Sequence, residues 1–188
     1  LSGQDHLASP HKNNHFVCDQ TVAGKLSGEQ LNIGTQNNAT LGSQASIAGG
    51  CKQAATGAQT FIGGGDCNVT TGVNSAILGG EENCSQGACG IIVGGKCHET
   101  ETTATYGFIG GGFKNCVTAN YGTIGGGQCN TGTTNGGYGF IGAGRRNEVC
   151  ASKGGIIAGE DNTITGCDSF IGAGKANNAR GQNSTVVG

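Results

Sequence analysis

The chain has 188 residues, of which 40 are Gly, 10 Cys and one Pro, with 12% charged, no Met or Trp, and a formal net charge of -2. The length suits one domain; Gly without a Gly-X-Y period excludes collagen, and so weak a charge leaves no electrostatic footprint for nucleic acid or an anionic membrane. No apolar run approaches the roughly 20 residues that span a bilayer, and many Cys without a paired Cys-x-x-Cys point to disulfides in an oxidising, extracellular compartment, secreted or cell-surface.

Residues 1–20 show no periodicity. Their opening, Leu-Ser-Gly-Gln-Asp-His, reads as a mature terminus, and Phe16, Val17 and Cys18 suit a cover for a neighbouring copy. Residues 21–35 hold a degenerate first coil around Leu31-Asn32-Ile33-Gly34. From residue 36 to 188 a repeat runs. Ile47, Ile62, Ile77, Ile92, Ile109, Ile124, Ile141, Ile156, Ile171 and Val186 each precede a Gly-rich knot, at intervals of 15, 15, 15, 17, 15, 17, 15, 15 and 15 residues. Each unit approximates x-x-Asn-x-x-x-Gly-x-x-Ser-x-Ile-x-Gly-Gly, with positions numbered one to fifteen. A unit this short, with two Gly-punctuated corners, has room for two short strands and not for a helix plus a strand. The expectation is an all-β parallel solenoid, or β-roll, of about ten coils. The units 96–112 and 128–144 should bulge near Thr100–Thr105 and Thr131–Gly137 while the Ile column stays in line. The last unit stops at Gly188, leaving a strand edge that invites pairing.

Several columns follow from this register. Asn falls at position three in Asn38, Asn68, Asn83, Asn115, Asn130, Asn147, Asn162 and Asn177. Tolerance of left-handed backbone at a corner and amide bonding between coils account for it. Positions eleven and thirteen trade volume: Phe61, Phe108, Phe140 and Phe170 precede Gly63, Gly110, Gly142 and Gly172, while Ala76, Gly155 and Thr185 precede Leu78, Ile157 and Val187. Residues two apart share a strand face, so this reads as packing at constant volume. The Ile column lies on the opposite face. A thin roll buries one face within itself, and the other calls for a partner chain, hence a homo-oligomer. The three tyrosines, Tyr106, Tyr121 and Tyr138, share position nine in consecutive units. They form either a carbohydrate-contact strip or, the favoured reading, a packing ladder.

Cys67, Cys97 and Cys129 occupy position two, Cys84 and Cys116 position four, Cys51 position one, and Cys150 and Cys167 positions six and eight. Bridges between adjacent coils would be Cys51–Cys67, Cys84–Cys97, Cys116–Cys129 and Cys150–Cys167. The shifted set Cys67–Cys84 and Cys97–Cys116 is equally periodic. Cys18 and Cys89 have no mate and are candidates for intermolecular linkage. Glycosylation sequons begin at Asn38, Asn68, Asn83 and Asn183. No catalytic constellation emerges. His6, His11 and His15 lie outside the repeat, His98 replaces Asn at position three, and none has a Ser, Cys or carboxylate partner at a telling spacing. The Gly knots lack the Gly-Lys-Ser/Thr and helix of a phosphate loop, and scattered Asp66, Asp161 and Asp168 form neither a calcium loop nor an acid pair. The reading is noncatalytic, with no cofactor and no metal.

Residues 179–188, Ala-Arg-Gly-Gln-Asn-Ser-Thr-Val-Val-Gly, and 70–79, Thr-Thr-Gly-Val-Asn-Ser-Ala-Ile-Leu-Gly, resemble the Ala-Thr-Gly-x-Asn-Ser-x-Ala-x-Gly repeat of YadA-type heads of trimeric autotransporter adhesins. The resemblance covers about residues 36–188. It implies a left-handed parallel β-roll, three interlocked chains and an extracellular binding or fibrous role. The ten Cys depart from that family, whose heads are nearly Cys-free, and no coiled-coil stalk or anchor pattern is present in these residues. Three functions remain: a self-associating structural subunit of a filament or surface coat, an adhesin-like head for matrix or carbohydrate, and an ice-binding solenoid. The last needs a regular Thr-x-Thr array, and Thr103-Ala-Thr105 and Thr163-Ile-Thr165 make no such column. The first is expected.

Overall fold

The computed structural model describes residues 31–32, 34, 36–39, 44–133 and 137–188. The segment 1–20 with Cys18, most of the degenerate first coil, and Thr134–Gly136 of the second expected bulge lie outside the described residues. Each coil contributes two strands of two residues, giving 21 among the described residues, from β1 (Leu31–Asn32) to β21 (Thr185–Val186). Odd-numbered strands form an eleven-stranded parallel sheet and even-numbered strands a ten-stranded one. Among the described residues there is no helix. The molecule is a parallel β-solenoid, as the Ile interval predicts, with about nine coils against an expectation of about ten.

The strands are short because the chain turns repeatedly. Position fifteen is Gly at positive φ, and a Cβ on Gly65 (φ +101) would lie 2.0 Å from the Gly80 carbonyl oxygen of the next coil. Positions two and nine are left-handed too, with φ between 52° and 69° at Lys52, Gln59, Cys67, Tyr106 and their equivalents. A side chain there costs roughly 1–2 kcal/mol. The reversed backbone direction offsets that cost through hydrogen bonds. Cys67 N donates to Cys51 O of the preceding coil at 3.0 Å and Tyr106 N to Ala88 O at 2.9 Å, whereas the strand amide of Val69 donates forward to Asn83 O at 2.8 Å. Each coil is thereby bonded in both directions.

The core is one side chain deep. The Ile column from Ile47 to Ile171 is fully buried, and Val186 packs against it half-buried. From the second sheet, position five closes the interior with Ala55, Thr70, Ser85, Thr100, Val117, Val149, Ile164 and Ala179. A third row of single parallel bridges joins position one of successive coils, from Cys51 and Asp66 through Glu160 and Lys175. Register survives the insertions: Ile92, Ile109, Ile124 and Ile141 remain paired across both 17-residue units. The first extra pair, Thr102–Thr103, is absorbed in a turn closed by Ala104 N to Glu101 O at 2.8 Å.

One register assignment is corrected. Asn38 lies on β2 (Asn38–Ala39), paired with Ala54, which is position four. Asn37 holds position three, and its Oδ1 accepts from Gln53 N at 2.8 Å. Ala39 pairs with Ala55 and Ile47 with Ile62, so this coil is one residue longer from second sheet to Ile than the next, which a count based on Ile alone hides.

Candidate interaction surfaces

Position eleven and position thirteen side chains stand on the outer face of the eleven-stranded sheet. Phe61, Leu78, Ile91, Val93, Phe140, Ile157 and Phe170 are 39–50% exposed there, along nearly the whole rod. The exchange of volume between the two positions has a cause beyond packing. A Cβ on Gly63 would come 2.3 Å from Leu78 O, so the backbone of the Phe-bearing coils approaches its neighbour too closely for any side chain at position thirteen. The Phe at position eleven of the same strand supplies the apolar bulk on that face.

The tyrosine column is continuous. Tyr106 and Tyr121 stack with centroids 5.1 Å apart and planes 11° from parallel; Tyr121 and Tyr138 stack at 4.9 Å and 4°. All three are about half exposed. The flat faces that would receive a sugar ring are turned toward each other, which is the ladder arrangement, and the ring edges meet solvent. Cys89 precedes Tyr106 in the same column, and Lys153, 3.7 Å from Asp168, follows Tyr138.

Position three is a buried polar spine, and it works differently from the expectation. Its residues are not left-handed, and their amides bond chiefly to backbone. Asn68 Oδ1 accepts from Asn83 N at 3.0 Å, while its Nδ2 donates to Gly64 O and Gly80 O at 3.1 and 2.8 Å. The same triad recurs at Asn83, Asn115, Asn130, Asn147 and Asn162. Each amide thus ties its own Gly knot to the next. Gln53 and His98 substitute in the spine: Gln53 Oε1 accepts from Asn68 N, and His98 Nδ1 from Asn115 N at 3.1 Å. His98 Nε2 and Gln53 Nε2 make no hydrogen bond of sound geometry. Burial pushes the His98 pKa below its ordinary value.

This placement bears on the sequons. Asn68 and Asn83 are buried with Nδ2 already bonded twice. A glycan on either nitrogen would have to displace these bonds of the coil as folded. Asn183 is exposed, and Asn38 is placed by its backbone alone.

The nine described cysteines are free thiols. Cys51 and Cys67 lie on adjacent coils joined directly by the backbone bond Cys67 N to Cys51 O. Cys84 and Cys116 both pair with Glu99 of β10 (Glu99–Thr100), one from each side. Cys97 donates its thiol proton to Glu82 at 3.1 Å. Cys150 is half-buried and Cys167 exposed. Burial, then Glu101 and Glu99, pushes the Cys116 thiol up to about 11. Glu99, Glu101 and Cys116 place one ligand atom each within 4.8 Å of one another, the grouping among the described residues closest to a metal centre. Gln86 already holds Glu99 at 2.9 Å, and the thiol is protonated at neutral pH. Sequence reading missed this trio, because Glu99 and Cys116 come together only through strand pairing.

Charges at positions one and two also pair between coils, another feature not evident from composition. Lys96 meets Glu81 at 2.7 Å, Arg146 meets Asp161 at 2.5 Å, and Arg145 meets Glu160. These exposed pairs favour register more than stability.

No family model matches the sequence, and no curated protein aligns with it significantly.

Proposed function

We propose that the chain is a noncatalytic, extracellular structural subunit that associates with copies of itself in a filament or surface coat. The observation that carries this reading is the apolar outer face of the eleven-stranded sheet. Single exposed apolar residues are ordinary, but a contiguous stripe of large ones along a rigid sheet marks an interaction site. A second copy is the occupant the stripe suits best. It repeats at the strand spacing, so a parallel or antiparallel copy meets the same periodicity, with Phe side chains facing Gly hollows. The YadA-like repeat supports the same direction, since chains of that kind assemble through their β-rolls.

Sedimentation velocity over a concentration series tests the reading. Native protein should sediment as an assembly, and Phe140→Thr with Phe170→Thr should shift it toward monomer with unchanged β-sheet signal. Thr is already native at position eleven in Thr123 and Thr185, so the fold accommodates it. A wild-type chain that stays monomeric at high concentration overturns the proposal. A closed trimer that binds sugar or matrix supports the adhesin-like head instead.

A further inference from the structure

We infer that the Tyr106–Tyr121–Tyr138 column is a site of oxidative modification, in which neighbouring coils become joined by a dityrosine bond. The chain has three Tyr, and all three stand in one column on consecutive coils. Their backbones are held in place. Tyr106 N, Tyr121 N and Tyr138 N bond to Ala88 O, Thr105 O and Asn120 O at 2.9, 2.8 and 3.0 Å, each on the preceding coil. All three share a left-handed φ of 55–64°, so every ring leaves the corner in the same direction. Ring centroids about one strand spacing apart bring two reacting rings together before any chemistry, the orientation that makes a bimolecular coupling effectively unimolecular. Exposure of about half of each residue leaves the rings within reach of an external oxidant.

The step balances with a peroxide and a haem peroxidase as the oxidising system. Each of two phenols loses one electron and its hydroxyl proton, giving two phenoxyl radicals. A carbon–carbon bond forms between ring carbons ortho to oxygen. The hydrogen on each of those carbons then moves to the phenol oxygen as the rings regain aromaticity. The pair has lost two hydrogens in total, and hydrogen peroxide accepts them to become two waters. Tyr121 belongs to both possible pairs. Tyr106 and Tyr138 are two coils apart and cannot couple directly within one chain.

The inference needs one chain only and is independent of self-association. The test treats the full chain, at low concentration, with hydrogen peroxide and a haem peroxidase. Dityrosine fluorescence is read alongside mass spectrometry of proteolytic peptides. The expected result is a link between the Tyr121 peptide and that of Tyr106 or Tyr138, with a yield per chain that does not change on dilution. Tyr106→Phe and Tyr138→Phe should each retain a link, whereas Tyr121→Phe should lose it while keeping its ring and the circular dichroism of the native protein. A yield no greater than that of free tyrosine at equal concentration overturns the inference. So does a yield that falls with dilution, or an intrachain link that persists in Tyr121→Phe.

Discussion

Replacing Asn130 by Ala removes one rung of the buried spine. Its Nδ2 donates to Gly126 O at 3.0 Å and Gly144 O at 2.9 Å, and its Oδ1 accepts from Asn147 N at 3.0 Å. Gly144 O keeps the backbone bond from Gln128 N at 2.8 Å, so that acceptor is not stranded. Asn147 is buried, and the substitution takes away the acceptor of its N–H. Neutral hydrogen bonds contribute about 1 kcal/mol each, and a stranded buried donor costs about 1–3 kcal/mol, so the loss comes to about 3–5 kcal/mol. That is a large part of the about 5–15 kcal/mol typical of a whole domain. Because a solenoid is held by nearest-neighbour contacts, the damage should concentrate in the coils on either side. Urea denaturation gives the total, and amide hydrogen exchange at Asn147 gives its location. Thr131→Ala, on the outward side of β14 (Thr131–Gly132), should change stability by less than about 0.5 kcal/mol. Asn130→Asp keeps the acceptor but aims a carboxylate at two carbonyls; it should be worse at neutral pH and recover partly in acid. A loss for Asn130→Ala no greater than that for Thr131→Ala would refute the assignment of the spine as the chief polar tie between coils.

His98 accepts a backbone N–H through Nδ1, and its pKa in the folded chain lies below the unfolded value. The unfolded state therefore binds the proton more readily, and stability should fall as pH drops below about 6.5. In His98→Asn the melting temperature should lose this part of its acid dependence; an unchanged pH profile would count against the buried acceptor role. Of the candidate disulfides, Cys51–Cys67 should form first under mild oxidation, because a backbone bond already joins its two residues. Burial, then Asp66, raises the Cys67 thiol pKa, so the rate should climb with rising pH as thiolate accumulates. Nonreducing peptide mapping that finds Cys51 still free while the diagonal pairs have closed would contradict this.

The fold was legible because one signal, a buried Ile on a fixed interval, is enforced by steric need at every coil. The outward apolar face was legible for the same reason, since alternation along a strand separates Ile92 from Ile91 and Val93. The corners were not. Left-handed backbone is ordinarily signalled by Gly or Asn, yet here Glu82, Lys114, Tyr121 and Arg146 adopt it, because backbone bonds to the preceding coil hold them there. Asn, the residue that suggested corners, is instead an interior crosspiece. Its short amide reaches two Gly carbonyls and one amide at once, a requirement visible only when the coils are stacked. The shift from Asn38 to Asn37 has the same origin, since an Ile count cannot see one residue inserted on the far side of the coil.

The central claim is that the apolar face of the eleven-stranded sheet is covered by another copy of the chain. Electron micrographs of the purified full-length protein test it most directly. The account predicts assemblies more than one chain wide, with rods joined along their sides through that face. Isolated rods of single-chain width, at concentrations where the protein is abundant, would contradict it.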